Sequence, residues 1–322
     1  MEGETQFAAR TESLRGELLA HCYRMLGSVD DAEDVVQETL LNAWRAWETF
    51  AGRSSLRTWL YRIATNACLS ALRGRARRVL PSGLGPPGED PHAPIQAAGP
   101  GVRWLQPVPD ALVTPASDDP AVAAVAREDL RLALIACLQY VPPRQRAVFL
   151  LREVLGFSAP EVAEMLGVSV AAVKSSLQRA RANLDAAPAD AEPPAEAEQR
   201  VLLQEYIAAF ENADAAAFER LLRADAALEF PPAATWFAGR RRCVPCLART
   251  ATTPGEWRMF PTTANGQPAA VSYRRGEDGV LHAYGVAVLT IVPGGIARIT
   301  AFGDPGLVRR FAMPTTYSGG LS

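Results

Sequence analysis

Seven arginines (Arg53, Arg57, Arg62, Arg73, Arg75, Arg77 and Arg78) lie between Thr49 and Gly88, a stretch with no Asp or Glu. Trp59 and Tyr61 sit among the first of them. Like charges at this density repel one another unless a polyanion neutralises them. Arginine with aromatic side chains is what a nucleic-acid groove uses, for phosphate contact and for base stacking. A generic basic surface is the plainer account, but the lack of interleaved acid favours nucleic acid. A helix from Leu56 to about Arg73 would keep Trp59, Ile63, Ala67 and Ser70 on one side.

A second constellation lies at 158–184. Ser158-Ala-Pro-Glu161 has the pattern of a capping box, with Ser as N-cap and Glu at the third helical position. Gly167 allows a tight turn, and Ser169 can cap a second helix whose apolar positions are Val170, Val173, Leu177, Ala180 and Leu184. Its other side carries Ala171, Ala172, Lys174, Ser175, Gln178, Arg179 and Arg181. Small residues at the start permit close approach to base edges, and the longer ones reach bases and phosphates. A plain helical hairpin is the alternative; cap, turn and basic second helix together point to a DNA-reading helix-turn-helix.

A third pattern is acidic. Asp30–Trp47 reads as an amphipathic helix with a buried stripe of Val35, Val36, Leu40, Ala43 and Trp47. Opposite lie Asp31, Asp34, Gln37, Glu38 and Arg45, with the apolar Leu41 among them. A solvated face is the ordinary reading of such a surface, and acids also suit a helix N-terminus.

These elements belong to a chain of 322 residues with a formal net charge of −2, so the basic segment is masked in the total. The length predicts two or three domains. No run approaches the 18 apolar residues of a membrane span, and Met1–Arg15 is too polar for a signal peptide. Five cysteines form no disulfide framework. A cytoplasmic protein without membrane contact is expected. Composition divides the chain into a helical block at 8–78, a Pro/Gly-rich linker at 79–120 that reads as flexible or extended, a helical block at 121–185, a short linker at 186–196 and an α+β block at 197–316. In the last block, alternating segments at Ala269–Tyr273, Gly285–Val292 and Ala297–Phe302 predict strands.

The run Ala32–Arg73 (AEDVVQETLLNAWRAWETFAGRSSLRTWLYRIATNACLSALR) resembles region 2 of bacterial sigma factors of the extracytoplasmic-function (ECF) group. Leu138–Leu184 (LQYVPPRQRAVFLLREVLGFSAPEVAEMLGVSVAAVKSSLQRARANL) resembles their region 4. The resemblance implies two all-α sigma domains. It places Asp34, Gln37, Glu38 and Leu41 where region 2 docks on the β′ clamp helices of core RNA polymerase. Phe50–Ser55 falls at the loop that captures a flipped −10 base, and Arg53, Ser54, Arg57, Trp59, Arg62, Asn66 and Arg73 become −10 contacts. Ser169, Ala171, Ala172, Lys174, Ser175, Gln178, Arg179 and Arg181 become −35 contacts, and the helix Pro142–Leu155 helps bind the β flap. The linker would take the role of the segment that threads the polymerase cleft, its net acidic charge competing with nucleic acid there. Promoter DNA and core polymerase are the implied partners, with no cofactor or metal.

The 197–316 block resembles the SnoaL-like cone: helices, then a curved antiparallel sheet around a pocket. Trp236, Trp257, Tyr273, His282 and Tyr284 are its candidate pocket residues, for a small-molecule ligand. Two functions compete for it, regulation of the sigma domains and catalysis. His282, Asp304, Tyr273, Tyr284 and Glu229 offer no evident acid/base pair, so an enzyme is not expected. Cys243-Val-Pro-Cys246 lacks further metal ligands and reads as two buried small side chains. A thiol switch favoured by Arg240, Arg241 and Arg242 is its alternative. The expected protein is an alternative sigma factor with a fused modulating domain; the runner-up is a helix-turn-helix regulator that does not engage polymerase.

Overall fold

The computed structural model describes residues 2–50, 52, 54–113, 130–185 and 192–317, with only the backbone given for 2–6. The expected boundaries near 120 and 186 lie outside the described residues. The chain forms two compact units: Met1–Arg78 with Asp110–Ala189, and Val79–Pro109 with Asp190–Ser322.

In the first unit α1 (Glu2–Leu26), α2 (Val29–Arg45) and α3 (Leu56–Ala71) pack on one another. Each of the latter two starts on a serine cap: Asp31 N–H donates to Ser28 Oγ at 3.2 Å, and Thr58 N–H to Ser55 Oγ at 3.0 Å. α2 buries Val29, Ala32, Val35, Val36, Thr39 and Ala43; of the stripe expected from spacing, Leu40 is only half-buried, and so is Trp47, which lies beyond the end of the helix. α3 departs from expectation: it buries Trp59, Leu60, Tyr61, Ala64, Thr65 and Cys68, while Ile63 and Ala67 are only half-buried and Ser70 is exposed. The reason is that α3 is contacted on several sides, by α1, by α2 and by later helices of the same unit.

Those later helices are α5 (Leu132–Leu138), α6 (Pro143–Phe149), α7 (Ala159–Leu166) and α8 (Val170–Asp185), preceded by the short α4 (Asp110–Val113). α6 runs into a π turn at Leu150–Val154. Arg146 of α6 is buried, and its two terminal nitrogens are satisfied chiefly by main-chain oxygens. It donates to the carbonyl of Met25 in the last turn of α1, to Gln139 O and Val141 O at 3.1 Å each, and to Gln139 Oε1 at 2.9 Å. A guanidinium also complements the negative end of the α1 dipole. Burial pulls its pKa down to about 10.

His21, on α1, is fully buried with Nε2 2.9 Å from Thr65 Oγ1 and its ring edge-on to Tyr61. Burial first, then Arg24 and Arg57, pulls its pKa from 6.5 to about 3. Between those values the unfolded chain binds a proton that the folded chain refuses. Stability is therefore full above about pH 6.5 and falls as pH drops toward 3, by up to about 1.4 kcal/mol per pH unit. Replacing His21 by Gln should remove about 2 kcal/mol of the loss seen between pH 7.5 and 5, read as urea-midpoint shifts; an unchanged loss would refute this.

In the second unit α9 (Glu196–Glu211) and α10 (Ala215–Leu221) lead into β3 (Leu222–Glu229) and β4 (Trp236–Ala238), followed by α11 (Arg240–Thr250). Four longer strands follow, β5 (Trp257–Ala264), β6 (Gln267–Arg275), β7 (Leu281–Val292) and β8 (Gly295–Phe302), then α12 (Pro305–Val308) and β9 (Thr316–Tyr317). The order is β4-β3-β8-β7-β6-β5, with β9 paired to β7. The sheet is mostly antiparallel, as expected, but β3 runs parallel to β8. Helical and sheet residues share one core, including Tyr206, Phe210, Phe218, Trp257, Leu289 and Ile299.

Residues 79–109 of the Pro/Gly-rich segment belong to this second unit. This stretch is extended, closed at its base by a two-stranded ribbon of β1 (Arg78–Val79) and β2 (Arg103–Trp104), and bound along its length as a strap. Ser82 N–H reaches Glu229 Oε2 at 3.5 Å, and Trp236 Nε1 donates to Gly85 O at 2.8 Å. Gly88 N–H donates to Trp236 O at 2.7 Å, and a Cβ at Gly88 would lie 2.9 Å from the Phe237 ring, so glycine is required there. α11 holds the strap's carbonyls, Arg242 reaching Glu89 O at 3.3 Å and Arg249 reaching His92 O at 2.6 Å. Further on, Gln96 N–H donates to Thr235 Oγ1 at 2.7 Å, and Val108 N–H to Asn265 Oδ1 at 3.0 Å. Leu105 and Val108 are buried. No helix among the described residues is long and apolar enough to cross a membrane.

Candidate polymerase and promoter interface

On α2, Asp34, Gln37, Glu38 and Leu41 follow one another at i, i+3, i+4 and i+7, and all four are exposed. Leu41 is 57 % exposed, and Trp44, one turn on, is 40 % exposed. Two acids around an uncovered leucine form a surface suited to a partner with basic and apolar groups. Asp31 does not share this role: it accepts from Arg78 at 2.7 Å, with Arg75 at 3.8 Å.

At the start of α3, Ser54 is exposed, and Arg53 lies outside the described residues. Trp59 stacks on Phe50, ring centroids 4.7 Å apart, and Phe50 on Trp47 at 5.9 Å. Arg62, Asn66 and Arg73 are exposed. Arg57 is already engaged, with Glu17 at 3.1 Å and its guanidinium over the rings of Tyr61 and Phe157. Asn66 donates to Met165 O in α7 at 3.2 Å as well as to Arg62 O. Glu17 went unnoticed in the sequence because its partners, Arg57 and Tyr61, are forty or more residues away on another helix, and Trp47, read as a stripe residue of the acidic helix, instead joins the aromatic stack ahead of α3.

The caps and turn of the helix-turn-helix form as its sequence predicts, while of the expected apolar stripe on α8 Val173 and Ala180 are buried, Leu177 and Leu184 half-buried and Val170 exposed. Ser158 N–H donates to Glu161 Oε2 at 2.7 Å, and Glu161 N–H to Ser158 Oγ at 3.4 Å, the two halves of a capping box. Bonding to Ser158 holds the Glu161 carboxyl below its usual range. Gly167 turns the chain at φ 61°, in the left-handed region. Ser169 Oγ accepts from Ala172 N–H at 3.1 Å and starts α8. Ala171, Lys174, Ser175, Gln178 and Arg179 are exposed on α8, Ala172 is half-buried, and Arg181 pairs with Glu153 at 2.8 Å.

In the second unit, Trp257 and Tyr284 pack edge-on at 4.8 Å and line a small cavity with Tyr206, Phe210 and Phe230. Its volume is about 30 Å³, room for water rather than for an organic ligand. Trp236, Tyr273 and His282 do not line it. Trp236 holds the strap, Tyr273 OH donates to Pro314 O at 2.7 Å, and His282 pairs with Asp278 at 2.9 Å on an exposed turn. Asp304 caps α12 through Gly306 N–H at 2.8 Å. The alternative of an arginine-activated thiol pair is overturned: Cys243 and Cys246 are buried, and burial pushes both thiols up, Cys243 to about 12. Among the described residues no group of three or more His, Cys, Asp or Glu could hold a metal ion.

Residues 11–78 match the Sigma-70 region 2 family and 131–184 the Sigma-70 region 4 family. Over 97 % of its length the chain is 47 % identical to the ECF RNA polymerase sigma factor SigG of Mycobacterium tuberculosis, covering 85 % of that protein. The chain belongs to the ECF sigma factors. It directs transcription initiation and is not an enzyme. The M. tuberculosis ECF sigma factor SigJ is 36 % identical over 55 % of this sigma factor and 50 % of its own length. The SigJ crystal structure aligns over 94 % of this chain and 98 % of its own with a TM-score of 0.63 at 23 % identity, so the fold, C-terminal α+β domain included, is common to both. Core polymerase and promoter DNA follow as partners of this sigma factor from its family.

Proposed function

We propose that this cytoplasmic sigma factor docks on the β′ clamp helices through Asp34, Gln37, Glu38 and Leu41, with α6 toward the β flap. It reads −35 with Ser169, Ala171, Ala172, Lys174, Ser175, Gln178, Arg179 and Arg181, and −10 with Ser54, Trp59, Arg62, Asn66 and Arg73. Arg57 joins them once released from Glu17, and Arg53 extends the same charge. The C-terminal domain modulates initiation by holding the strap. The observation that carries this is the run of bonds from Ser82 to Val108 between the strap and that domain. The strap links the two DNA-reading modules, and a segment bound along its length cannot at the same time thread the polymerase cleft. The domain therefore restrains the factor.

Run-off transcription with core polymerase on selected genomic fragments tests both parts. The full chain, a truncation at Asp185 and R242A/R249A are compared. Specific transcripts from all three are expected, several-fold more from the two altered proteins. Equal or lower yield from both would refute restraint by the domain, and no specific transcript from any would refute the promoter-reading assignment.

A further inference from the structure

The stack in front of α3 continues past Trp47. Arg10 of α1 lays its guanidinium over the Trp47 ring, 5.4 Å from the centroid. The series Arg10, Trp47, Phe50, Trp59 thus joins three separate stretches of chain, with Phe7 wedged edge-on against Trp47 at 5.1 Å. Trp47 and Phe50 are half-buried and Arg10 is exposed. Arg10 has no carboxylate partner among the described residues, unlike Arg57, Arg75 and Arg78.

A guanidinium resting on an indole face keeps its N–H donors free at the rim while its position is fixed, so a phosphate can be bound with little further loss of side-chain freedom. It is also a charge held beside aromatic rings, the pairing that single-strand binding uses. We propose that Arg10, positioned by Trp47, contacts a backbone phosphate of the single DNA strand whose base enters the loop ahead of α3. The inference rests on the reading of Phe50–Arg73 as the −10 contact. It extends that site to the N-terminal helix, which lies forty residues upstream and outside the segment read as basic. The ligand is a phosphodiester of unpaired DNA, so Arg10 contributes after strand opening and adds nothing on closed duplex.

The test uses holoenzyme assembled from the full chain and core polymerase. The probe is a fluorescein-labelled promoter fragment from the run-off selection, with its −10 segment mismatched to form a bubble, and the same fragment fully paired. R10Q should weaken bubble binding by about 3- to 10-fold at low salt. It should also reduce the slope of log affinity against log salt by about 0.7, the value for one phosphate of a single strand. Binding to the paired fragment should be unchanged. R10K, which keeps the charge and loses the flat stacking group, should keep the slope with a smaller loss. Wild-type affinity and slope for R10Q on the bubble, while R62Q and N66A weaken it, would overturn this inference alone. If R62Q and N66A are also without effect, the −10 assignment falls and this inference with it.

Discussion

Reversing both acids of the α2 surface, D34R/E38R, should weaken association with core polymerase by about 1,000-fold, because like-charge juxtaposition across an interface costs several kcal/mol. Both side chains are exposed and, among the described residues, make no hydrogen bond or ion pair that holds α2 in place, so helix content and thermal midpoint should stay near those of the unaltered chain. Leu41→Ala should act in the same direction with a smaller effect, as the loss of one apolar anchor at the centre of a patch. Co-migration with core polymerase and fluorescence titration against it measure both. Specific transcription from D34R/E38R at normal yield would refute the placement of the docking surface.

Arg298→Met should destabilise the C-terminal unit by about 3 kcal/mol or more. Glu229 is fully buried; Arg298 donates to its Oε1 and Ser82 N–H approaches its Oε2. Removing the arginine leaves a carboxylate enclosed without its counter-charge, the costly way to break such a pair. Glu229→Gln should cost less, since the Arg298 side chain is 36 % exposed and can turn to water, while an amide can still accept from Ser82. The ordering of the two variants is the discriminating result, read from urea unfolding. Amide exchange at Ser82 and Gly88 should rise in both, because the strap loses part of its seat. A Glu229→Gln protein less stable than Arg298→Met would show that the carboxylate is not the group that burial penalises.

Local chemistry made the helix-turn-helix readable in advance. A capping box, a left-handed glycine and a second serine cap each act within four residues, and each occurs where spacing put it. The α2 face was legible for the same reason, as a 3.6-residue period over 17 residues. Three features were not. The strap is rich in Pro and Gly and has no period of its own, so its order comes from Glu229, Thr235, Trp236, Arg242, Arg249 and Asn265, all more than a hundred residues later. The buried side of α3 shifted because helices from two parts of the chain contact it. Five pocket candidates were chosen by residue type, and only Trp257 and Tyr284 line the same cavity, since Trp236, Tyr273 and His282 are drawn to partners elsewhere, Gly85 O, Pro314 O and Asp278.

The strap is gripped chiefly by its main chain. Trp236 takes the carbonyl of Gly85, Arg242 that of Glu89, and Arg249 those of His92 and Ala93. Arg146 does the same to Met25 and Val141 in the other unit. Every residue type presents the same carbonyl, so most substitutions along the strap leave these bonds intact, Gly88 excepted because its Cβ space is taken by Phe237. Mutational drift in the strap would then be nearly silent for its attachment, while the arginines and the tryptophan that hold it could not change freely. Paired substitutions, which reveal contacts made between two side chains, would leave little trace of this one.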